Sequence, residues 1–585
     1  MPAMESVLIA NRGEIAVRVI RAVQEMGMRA IAVYSELDRD AVHTEAADEA
    51  WNIGPGPAAE SYLNIDAILG VAAESNAAAV HPGYGFLSEN AEFAERVAAA
   101  GMTWIGPPPA AITTMGDKIS SRRAAEEAGV AGVPGTLEPL TSVAEIEAVA
   151  AEYGYPIAIK AAHGGGGKGL RVVSDADGIG DAFESARREA DAYFANPEVY
   201  VERYLTETRH IEAQIIFDTH GNGVFLGERD CSLQRRHQKL IEETPAPVLD
   251  DAQRTALGEA ALAVAHATGY VNAGTVEFLL DGDGSFYFLE MNTRLQVEHT
   301  VTEMVTGVDL VKEQLRVGMG EALSFTEVTS IGHAIEFRIN AEDPATGFLP
   351  SPGQIVDYQE PGGFGVRVDS GYRSGSTVSQ YYDNLISKLV VWGRDRDEAI
   401  ARGRRALEEY TITGIATTIP FHLRALDDGR FVDSTHHTKS VEEDMDLSSI
   451  THPTAPQLPE EEELAAREMT VEVGGRRFVV KLWAPEMAVP GPTGQRPPPR
   501  RRPPKLSPGA PTVEGEGVVT APMQGTIVKV HHKAGDAVDA GDPLFILEAM
   551  KMENEIKAPV AGEIIDLRVQ AGDKVSSGAV LAVVR

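Results

Sequence analysis

The sequence predicts a multidomain protein of α/β and α+β class that ends in a small all-β domain. Three observations lead to this prediction: strands and helices alternate over about residues 1–115, a polar β-hairpin follows residue 274, and residues 518–585 contain an internal repeat. The chain has 585 residues, of which 43% are hydrophobic, so it can build several cores. We therefore expect several domains in series.

The charge balance and the cysteine content exclude several classes of protein. The formal net charge is −35, whereas nucleic-acid binding requires a basic face, so no nucleic-acid partner is expected. The only cysteine, Cys231, cannot form an internal disulfide, and we interpret it as a small buried residue. The N-terminus has no signal-peptide pattern, and no apolar run approaches the roughly 18 residues of a membrane span. These features predict a cytoplasmic protein without a membrane partner.

The N-terminal region, residues 1–116, is predicted to form a doubly wound α/β domain. A strand pattern at residues 6–10 is followed by an amphipathic helix to about Met26 and by a second strand at residues 28–35. The first turn lacks the G-x-G-x-x-G pattern, so no dinucleotide site is expected there. The segment from His81 to Gly85 follows a later strand, where the carboxyl edge of such a sheet forms binding sites. A tight structural turn is an equal alternative for this segment.

Residues 117–330 contain a glycine-rich segment that suits phosphate binding. A helix carries Lys118, a strand ends near Lys160, and the glycines from Gly164 to Gly167 precede Lys168 and a second strand. The lysine is not followed by Ser or Thr, nor the loop by a helix, which excludes a P-loop. A glycine loop between two strands can lower backbone N–H groups onto phosphates. An ordinary loose hairpin is the alternative.

A lid is predicted over about residues 133–204, and a basic stretch follows it. The strand at residues 199–205 ends at Glu202 to Leu205, where an adenine could contact the backbone. Further on, eleven residues of this acidic protein carry five basic side chains. They are Arg229, Arg235, Arg236, His237 and Lys239. Such a concentration indicates a nearby anion, with a solvated basic loop as the alternative.

A predicted β-hairpin opposes two glutamates. Two strand patterns flank the turn-rich sequence D-G-D-G-S. If the hairpin is centred between Asp283 and Gly284, Glu277 lies directly opposite Glu290, and like charges so placed are destabilising. A divalent cation would remove the repulsion, and two carboxylates with Asn292 suit Mg²⁺ or Mn²⁺. A solvated hairpin edge is the alternative.

The segment from Glu290 to His299 alternates between polar and apolar residues. Extended strands place successive side chains on opposite faces, so the pattern predicts a strand with one mainly apolar face and one polar face. The polar face consists of Glu290, Asn292, Arg294, Gln296 and Glu298. The sequence thus predicts a row of polar groups that continues from the paired glutamates.

Residues 331–448 form a third predicted domain, and a linker follows it. The domain shows two strand patterns and then a helix from about Arg396 to Tyr410. Residues 449–517 are first acidic and then rich in proline, apart from a short hairpin at 469–483. A polyproline spacer rises about 3.1 Å per residue, so this segment has a long reach. We interpret its basic centre, RPPPRRRPPK, as part of a soluble tether and not as a nucleic-acid patch.

Residues 518–585 contain two copies of one pattern. Residues 521–547 match residues 558–584, with alanine, proline, glycine and aspartate at equivalent positions. Two equivalent four-strand halves predict a small flattened barrel with pseudo-twofold symmetry. Between the copies lies EAMKMENE, with Lys551 at the tip of the joining hairpin. An exposed lysine is ordinarily just solvated, but on a long tether it suits a swinging carrier.

These motifs resemble those of a known family. GEIAVRVIRA, HPGYGFLSEN, GGGGKG, ERDCSLQRRHQK, EMNTRLQVEH and RINAEDP are similar to the biotin carboxylase branch of the ATP-grasp superfamily, and EAMKMENE is similar to the attachment site of biotinyl carrier domains. Lipoyl domains share the barrel, but the methionines beside Lys551 favour biotin. The whole chain resembles α subunits of actinobacterial acyl-CoA carboxylases. The resemblance implies an ATP-grasp biotin carboxylase, a flexible linker and an all-β carrier domain.

The resemblance also implies roles for individual residues. ATP would be bound by Lys118, Lys160, Gly164, Gly165, Gly166, Gly167, Lys168, Glu202, Leu205, His210, Gln234, His237, Glu277 and Glu290. Magnesium or manganese would be held by Glu277, Glu290 and Asn292. Bicarbonate would be bound by Lys239, Arg294, Gln296 and Val297. The catalytic residues would be Glu298 as the base, with Arg294, Arg338 and Lys239. Tyr84 and Arg338 would form the biotin pocket, and Lys551 would carry the biotin.

By the same resemblance, the chain is an ATP- and bicarbonate-dependent ligase that carboxylates biotin on its own carrier domain through carboxyphosphate. A biotin protein ligase would attach the biotin. A separate carboxyltransferase β subunit, in a hetero-oligomer with this chain, would carboxylate a short-chain acyl-CoA such as acetyl-CoA or propionyl-CoA. Two alternatives are the α subunit of a two-chain pyruvate carboxylase and a non-catalytic biotin carrier or binding protein. The intact set of catalytic residues argues against the second.

Overall fold

The computed structural model describes most of the chain as two separate units. The described residues are 4–136, 138–161, 171–194, 198–451, 464–473, 476–485, 517–521, 525–549, 552–575 and 578–585. Contacts divide the chain between Pro453 and Thr454. Within these ranges, no helix is both long and apolar enough to cross a membrane.

A parallel five-stranded sheet organises the N-terminal region, as the sequence predicts. Its elements are β1 (Ser6–Ile9), α1 (Gly13–Glu25), β2 (Arg29–Tyr34), α2 (Val42–Ala46), β3 (Glu49–Asn52), α3 (Ile65–Glu74), β4 (Ala79–His81), α4 (Ala91–Ala99), β5 (Thr103–Trp104) and α5 (Pro109–Gly116). The strand order is β3-β2-β1-β4-β5. Both faces are covered, because Leu8 packs into one core while Val7 and Ile9 pack into another. The segment after His81 leaves from the carboxyl edge of this sheet.

A separate antiparallel sheet lies within the predicted lid. The elements of this region are α6 (Lys118–Glu127), α7 (Val143–Tyr153), β6 (Ile157–Ala161), β7 (Arg171–Val173), α8 (Ile179–Phe194) and β8 (Val199–Arg203). The strand order is β7-β6-β8, and Phe183 of α8 packs on Ile157 and Val201. The two strands on either side of the glycines pair with each other as predicted. The prediction for Gly164 to Lys168 itself lies outside the described residues.

The centre of the first unit is an eight-stranded sheet. Two stretches of the chain supply its strands together with the helices and short strands around it. Residues 209–318 contribute β9 (Arg209–Phe217), β10 (Gly223–Arg235), β11 (Gln238–Thr244), α9 (Asp251–Ala267), β12 (Asn272–Leu280), β13 (Phe286–Asn292), α10 (His299–Thr306) and α11 (Leu310–Gly318). Residues 333–443 contribute β14 (His333–Asn340), β15 (Glu342–Asp343), β16 (Leu349–Pro350), β17 (Gly353–Gln354), β18 (Tyr358–Gln359), β19 (Val366–Ser370), β20 (Thr377–Val378), β21 (Leu385–Gly393), α12 (Arg396–Glu409), β22 (Thr411–Ile412), α13 (Ile419–Leu426), α14 (Gly429–Val432) and α15 (Ser440–Glu443).

The order of this sheet is β13-β12-β9-β10-β11-β14-β21-β19. Strands from both sides of residue 330 therefore share it, and the domain limits derived from the sequence stay predictions. Helix α9 covers the sheet at one end and contributes Leu257 and Val264 to a core with Val276 of β12. Helix α12 covers β14 and β21 at the other end, where Leu407 packs with Phe337. The polar residues of these strands alternate with the core residues and therefore lie on the opposite face of the sheet.

The second unit contains a strand pair and two four-stranded sheets. Its elements are β23 (Leu464–Val473), β24 (Arg476–Pro485), β25 (Val518–Thr520), β26 (Gly525–Val530), β27 (Ala537–Val538), β28 (Pro543–Ala549), β29 (Met552–Lys557), β30 (Gly562–Leu567), β31 (Lys574–Val575) and β32 (Val580–Val584). β23 and β24 pair antiparallel over a longer stretch than the predicted hairpin at 469–483. The sheets have the orders β25-β32-β30-β27 and β29-β28-β26-β31. Each sheet takes two strands from the first half of the barrel (β25 to β28) and two from the second half (β29 to β32), which fits the predicted flattened barrel.

Candidate active site

Four charged residues form a row across the eight-stranded sheet. Arg229 on β10 lies opposite Glu212 on β9, and Glu212 lies opposite Glu277 on β12. Glu277 in turn lies opposite Glu290 on β13, as the hairpin count predicts. Nε of Arg229 is 2.5 Å from Oε1 of Glu212, and both side chains are fully buried. Three adjacent carboxylates repel one another in this arrangement, so the row needs further positive charge.

Lys239 supplies the central positive charge. Its Nζ lies 2.5 Å from Glu212, 3.0 Å from Glu277 and 2.7 Å from Glu298. A β-bulge aims it there, because one residue of β10 faces two of β11 and Leu240 is the extra one. Burial alone would lower the pKa of Lys239, but the surrounding acidic groups raise it well above its usual value. Lys239 is therefore held in the charged form.

Glu298 lies between two cations at the start of α10. Its Oε1 accepts a hydrogen bond from Lys239, and its Oε2 accepts one from Nη2 of Arg338 at 2.9 Å. Burial would raise the pKa of Glu298, but Lys239, Arg338 and Arg229 hold it well below its usual range. Glu298 is therefore ionised at neutral pH, which is the state a proton acceptor needs.

The prediction of an extended strand from Glu290 to Glu298 was wrong beyond Asn292. β13 ends at Asn292, and the chain then loops into α10, with Glu298 at the N-cap position. The backbone N–H of Thr293 donates to Oε1 of Glu89 at 3.0 Å, and the ladder to β12 stops at Asn292. Glu89 comes from the N-terminal region, so the pattern around Thr293 gave no sign of it.

Gln296 joins the charged row from this loop. Its Nε2 donates to Oε1 of Glu277 at 2.7 Å, and its Oε1 accepts from Nη2 of Arg229 at 2.7 Å. The side chain is 2% exposed, so both bonds lie in the interior. Although the loop is not an extended strand, Gln296 still joins the charged row, through Glu277 and Arg229.

Arg294 binds a residue that the sequence reasoning missed. Its Nε lies 3.0 Å from Oε2 of Glu89, and its Nη2 donates to Oδ1 of Asn292 at 2.6 Å. Glu89 belongs to the HPGYGFLSEN motif, of which only the segment from His81 to Gly85 is predicted to lie at a binding site. The only sequence feature that could have indicated Glu89 is that the motif extends past Gly85 to Asn90.

Tyr84 and Val297 belong to a second cluster, centred on Lys388. Lys388 is fully buried; its Nζ lies 3.1 Å from Oε2 of Glu14 and donates to the backbone oxygen of Val297 at 3.1 Å. The hydroxyl of Tyr84 donates to Oε1 of Glu14. Lys388 and Glu14 were also missed, because Lys388 is the single charged residue of an otherwise apolar strand and Glu14 is one of several charged residues of an amphipathic helix. Through Lys388, this cluster binds the backbone of the loop at Val297.

Four family models match successive parts of the chain. Their descriptions are biotin carboxylase, N-terminal domain (residues 3–112), carbamoyl-phosphate synthase L chain, ATP binding domain (117–326), biotin carboxylase C-terminal domain (336–443) and biotin-requiring enzyme (517–584). The chain is 48% identical over 563 residues to the biotin-dependent acyl-coenzyme A carboxylase alpha3 subunit of Mycobacterium leprae. This match covers 94% of the chain and 93% of that protein. The chain belongs to the biotin carboxylase family.

Two further relatives match the first unit of this biotin carboxylase. The chain is 51% identical over 439 residues to a pyruvate carboxylase subunit of Methanothermobacter thermautotrophicus, a match to 75% of the chain and 89% of that protein. The biotin carboxylase domain of Hydrogenobacter thermophilus 2-oxoglutarate carboxylase, solved with magnesium ADP and bicarbonate, has a TM-score of 0.71 at 46% identity. That likeness covers 75% of the chain and 97% of the other. The fold of the first unit is therefore that of ATP-grasp biotin carboxylases.

This biotin carboxylase is an ATP-dependent ligase, and its cofactors are biotin and ATP. The donor set near Glu290 fits a magnesium ion. Desolvation and the charge of Glu277 both raise the pKa of Glu290, and no lysine or arginine among the described residues forms an ion pair with it. Nδ2 of Asn292 donates to Oε1 of Glu290 at 3.3 Å while its Oδ1 accepts from Arg294, so the amide would turn to offer its oxygen to the ion. Carboxylate and amide oxygens are the ligands that Mg²⁺ prefers.

The predicted nucleotide residues of the biotin carboxylase divide into three groups. Lys160 on β6 and Glu202 on β8 form an ion pair, and Arg122 of α6 binds the same carboxylate at 2.6 Å. His210 lies 2.7 Å from Glu277 and so belongs to the charged row. The remaining described residues are Lys118, which is exposed on α6, Leu205, which is buried, and Gln234 and His237 at the β10–β11 turn. The glycine loop and Lys551 lie outside the described residues.

Proposed function

We propose that the chain is the α subunit of an acyl-CoA carboxylase. It carboxylates biotin carried on Lys551 and delivers the carboxyl group to a separate carboxyltransferase β subunit, which acts on acetyl-CoA or propionyl-CoA. The observation that carries this proposal is the match along nearly the whole length of an acyl-coenzyme A carboxylase alpha3 subunit, linker and carrier included. The relatives that match only the first unit do not test the carrier.

We assign the first step, proton removal from bicarbonate, to Glu298. The bicarbonate would lie beside Lys239, Arg294, Gln296 and Val297. A carboxylate with such a low pKa is a weak base. For Glu298 to accept the proton, the cations that bind it must therefore also bind the incoming anion. As bicarbonate loses its proton, Lys239 and Arg294 would bind the dianion, and the pKa of Glu298 would rise toward that of a useful acceptor.

The phosphoryl group then passes from ATP to the bicarbonate dianion. In this step the chain positions the nucleotide and shields carboxyphosphate from water. Lys160 and the glycine loop would bind the phosphates, and Lys118, Glu202, Leu205, His210, Gln234 and His237 would hold the rest of the nucleotide. Mg²⁺, held by Glu277, Glu290 and Asn292, would neutralise charge on the phosphate oxygens. Closure of the lid would keep water from carboxyphosphate.

Biotin supplies the nitrogen that accepts the carboxyl group. Arg338 is well placed to orient it, because its guanidinium already reaches Glu298 through Nη2. Tyr84 would form the opposite side of the pocket, where Lys388 and Glu14 hold it in place. Carboxyphosphate would break down to CO2 and phosphate, the phosphate would take the ureido proton of biotin, and the nitrogen would bond to the CO2 next to the base that started the reaction.

The first experiment measures ADP release by the purified chain with Mg²⁺ and ATP. We expect release to depend on bicarbonate and to increase with added free biotin. Absence of turnover with intact nucleotide binding would favour the non-catalytic carrier instead. The second experiment co-purifies the β subunit and measures carboxylation of acetyl-, propionyl- and butyryl-CoA.

A second candidate is the α subunit of a two-chain pyruvate carboxylase. The 51% identity to the Methanothermobacter pyruvate carboxylase subunit favours it for the first unit alone. Pyruvate carboxylation by the co-purified complex, without acyl-CoA carboxylation, would select this candidate.

A further inference from the structure

Two glutamates behind Arg338 face each other inside the sheet. Glu242 on β11 and Glu336 on β14 are paired directly in register, and both side chains are fully buried. Residues paired in this way share one face of the sheet, with Cβ atoms about 5 Å apart. Two buried carboxylates at this separation cannot both be ionised without a large energetic cost.

Each carboxyl group has one oxygen without a hydrogen-bond partner among the described residues. Oε1 of Glu242 accepts from Nε of Arg338 at 2.5 Å, and Oε2 of Glu336 accepts from the hydroxyl of Thr300. Oε2 of Glu242 and Oε1 of Glu336 are buried and unpaired. One proton, bonded to one glutamate and donated to the other, would satisfy both oxygens.

The surrounding charges favour one proton over none. The charged groups that act on the pair from neighbouring elements are Arg338, Lys388, Lys239 and Glu298. Lys388 also binds Glu14 at 3.1 Å, and Arg338 also binds Glu298 at 2.9 Å. Because both cations are shared with other carboxylates, they do not neutralise two further negative charges.

The same environment decides where the proton resides. Burial and the negative charge of Glu242 raise the pKa of Glu336 well above its usual value. Burial also raises the pKa of Glu242, to about 7, although Arg338 acts in the opposite direction. Above about pH 7, Glu336 therefore carries the proton and Glu242 is its ionised acceptor.

We propose that Glu242 and Glu336 share one proton and act as positioning residues for Arg338. The positioning role rests on the proposed function, in which Arg338 orients biotin. With the proton on Glu336, Glu242 holds Nε of Arg338 and leaves Nη2 directed at Glu298. Loss of the proton would place a second negative charge behind Arg338 and draw the guanidinium away from the pocket.

The first test measures thermal stability of the full chain against pH. In the native state Glu336 keeps its proton, whereas in the unfolded state it ionises above about pH 4.3, so native stability falls as pH rises. Glu336→Gln removes this dependence. We expect the Tm of the variant, relative to wild type, to rise by about 4 °C between pH 5.5 and 8.5. The exposed Glu95→Gln is the control and should show a constant difference.

The second test measures ADP release with free biotin as the varied substrate. Glu242→Gln should raise the KM for biotin about tenfold, the loss expected for one hydrogen bond to a charged group, and leave the KM for ATP within about twofold. Above pH 8.5, where native Glu336 would begin to lose its proton, we expect the biotin KM of the wild type to rise and Glu336→Gln to flatten this rise. Denatured variants are recognised by their Tm before kinetics are measured.

Each result decides one part of the proposal. A constant Tm difference for Glu336→Gln across this pH range would overturn the shared proton. A pH-dependent Tm with an unchanged biotin KM in Glu242→Gln would overturn the positioning role. A wild-type chain without bicarbonate-dependent ADP release would refute the proposed function and the positioning role together, while the Tm series would still decide the shared proton.

Discussion

Replacing Lys239 by methionine tests the charge balance of the site most directly. Methionine is unbranched and fills the space of the lysine stem without its charge. Glu212, Glu277 and Glu298 would each lose a cation at 2.5–3.0 Å. Each would keep one basic partner, since Glu212 binds Arg229, Glu277 binds His210 and Glu298 binds Arg338.

The expected cost follows from the burial of this cluster. Removing one partner from a buried ion pair typically costs about 3–5 kcal/mol, because it leaves charge uncompensated in the interior. The remaining cations reduce the loss, so we expect about 3 kcal/mol for Lys239→Met at pH 7. In the wild type, Lys239 and other cations hold the pKa values of Glu277 and Glu298 low, and that stabilisation is lost as pH falls through the acid range. The difference between variant and wild type should therefore stay constant from pH 7 to about 5 and shrink below about pH 4.

The assays are urea denaturation at several pH values and bicarbonate-dependent ADP release. Activity should fall by about two to three orders of magnitude, as when an enzyme loses one preorganised charge at its reacting centre. Lys312→Met is the matched control, since Lys312 forms a 2.6 Å ion pair with Glu25 on the surface, where pairs contribute about 0–1 kcal/mol. If Lys239→Met lost no more stability than Lys312→Met and kept turnover within tenfold, the central role of Lys239 would be refuted.

Three further predictions address the base, the carrier and the acid stability of the fold. Glu298→Gln should bind ATP within about threefold of wild type and release no bicarbonate-dependent ADP, because an amide cannot accept the proton; wild-type turnover would contradict this role. Lys551→Ala should lose its signal on an avidin blot, and a persisting signal would place the biotin elsewhere. Burial would raise the pKa of Glu243, but His333 and Arg396 hold it well below its usual value. Arg396→Met should therefore cost about 3 kcal/mol at pH 7 in urea denaturation, with a smaller difference below about pH 4, and a pH-independent difference would contradict the pairing.

The hairpin shows how far sequence counting reaches. The count placed the turn centre between Asp283 and Gly284, and it correctly paired Glu277 with Glu290. Nearer the turn, however, the partners are shifted by one residue, because Leu289 is an extra residue on β13. The alternation of apolar residues predicts where the strands lie. It does not predict a β-bulge, in which one extra residue is inserted into a strand and increases its local twist.

The arrangement of the active site depended on long-range partners that a local pattern cannot contain. The row Arg229, Glu212, Glu277 and Glu290 runs across four strands, whereas the sequence suggested a row along one. The prediction of an extended strand was wrong at Thr293, whose backbone N–H donates a hydrogen bond to Glu89, some 200 residues earlier in the chain. Residue roles could be proposed only through family motifs, and those motifs did not single out Lys388 or Glu242.

The interleaved sheets of the carrier have a consequence for how that region can be cut or rearranged. Neither half of the barrel forms a sheet by itself. β25 and β27 of the first half pair with β32 and β30 of the second half, and β26 and β28 pair with β31 and β29. A fragment holding one copy would expose unpaired strand edges on every side and would have no folded form alone. Two separated halves should therefore reassemble as complementary fragments, and biotin attachment should report their association.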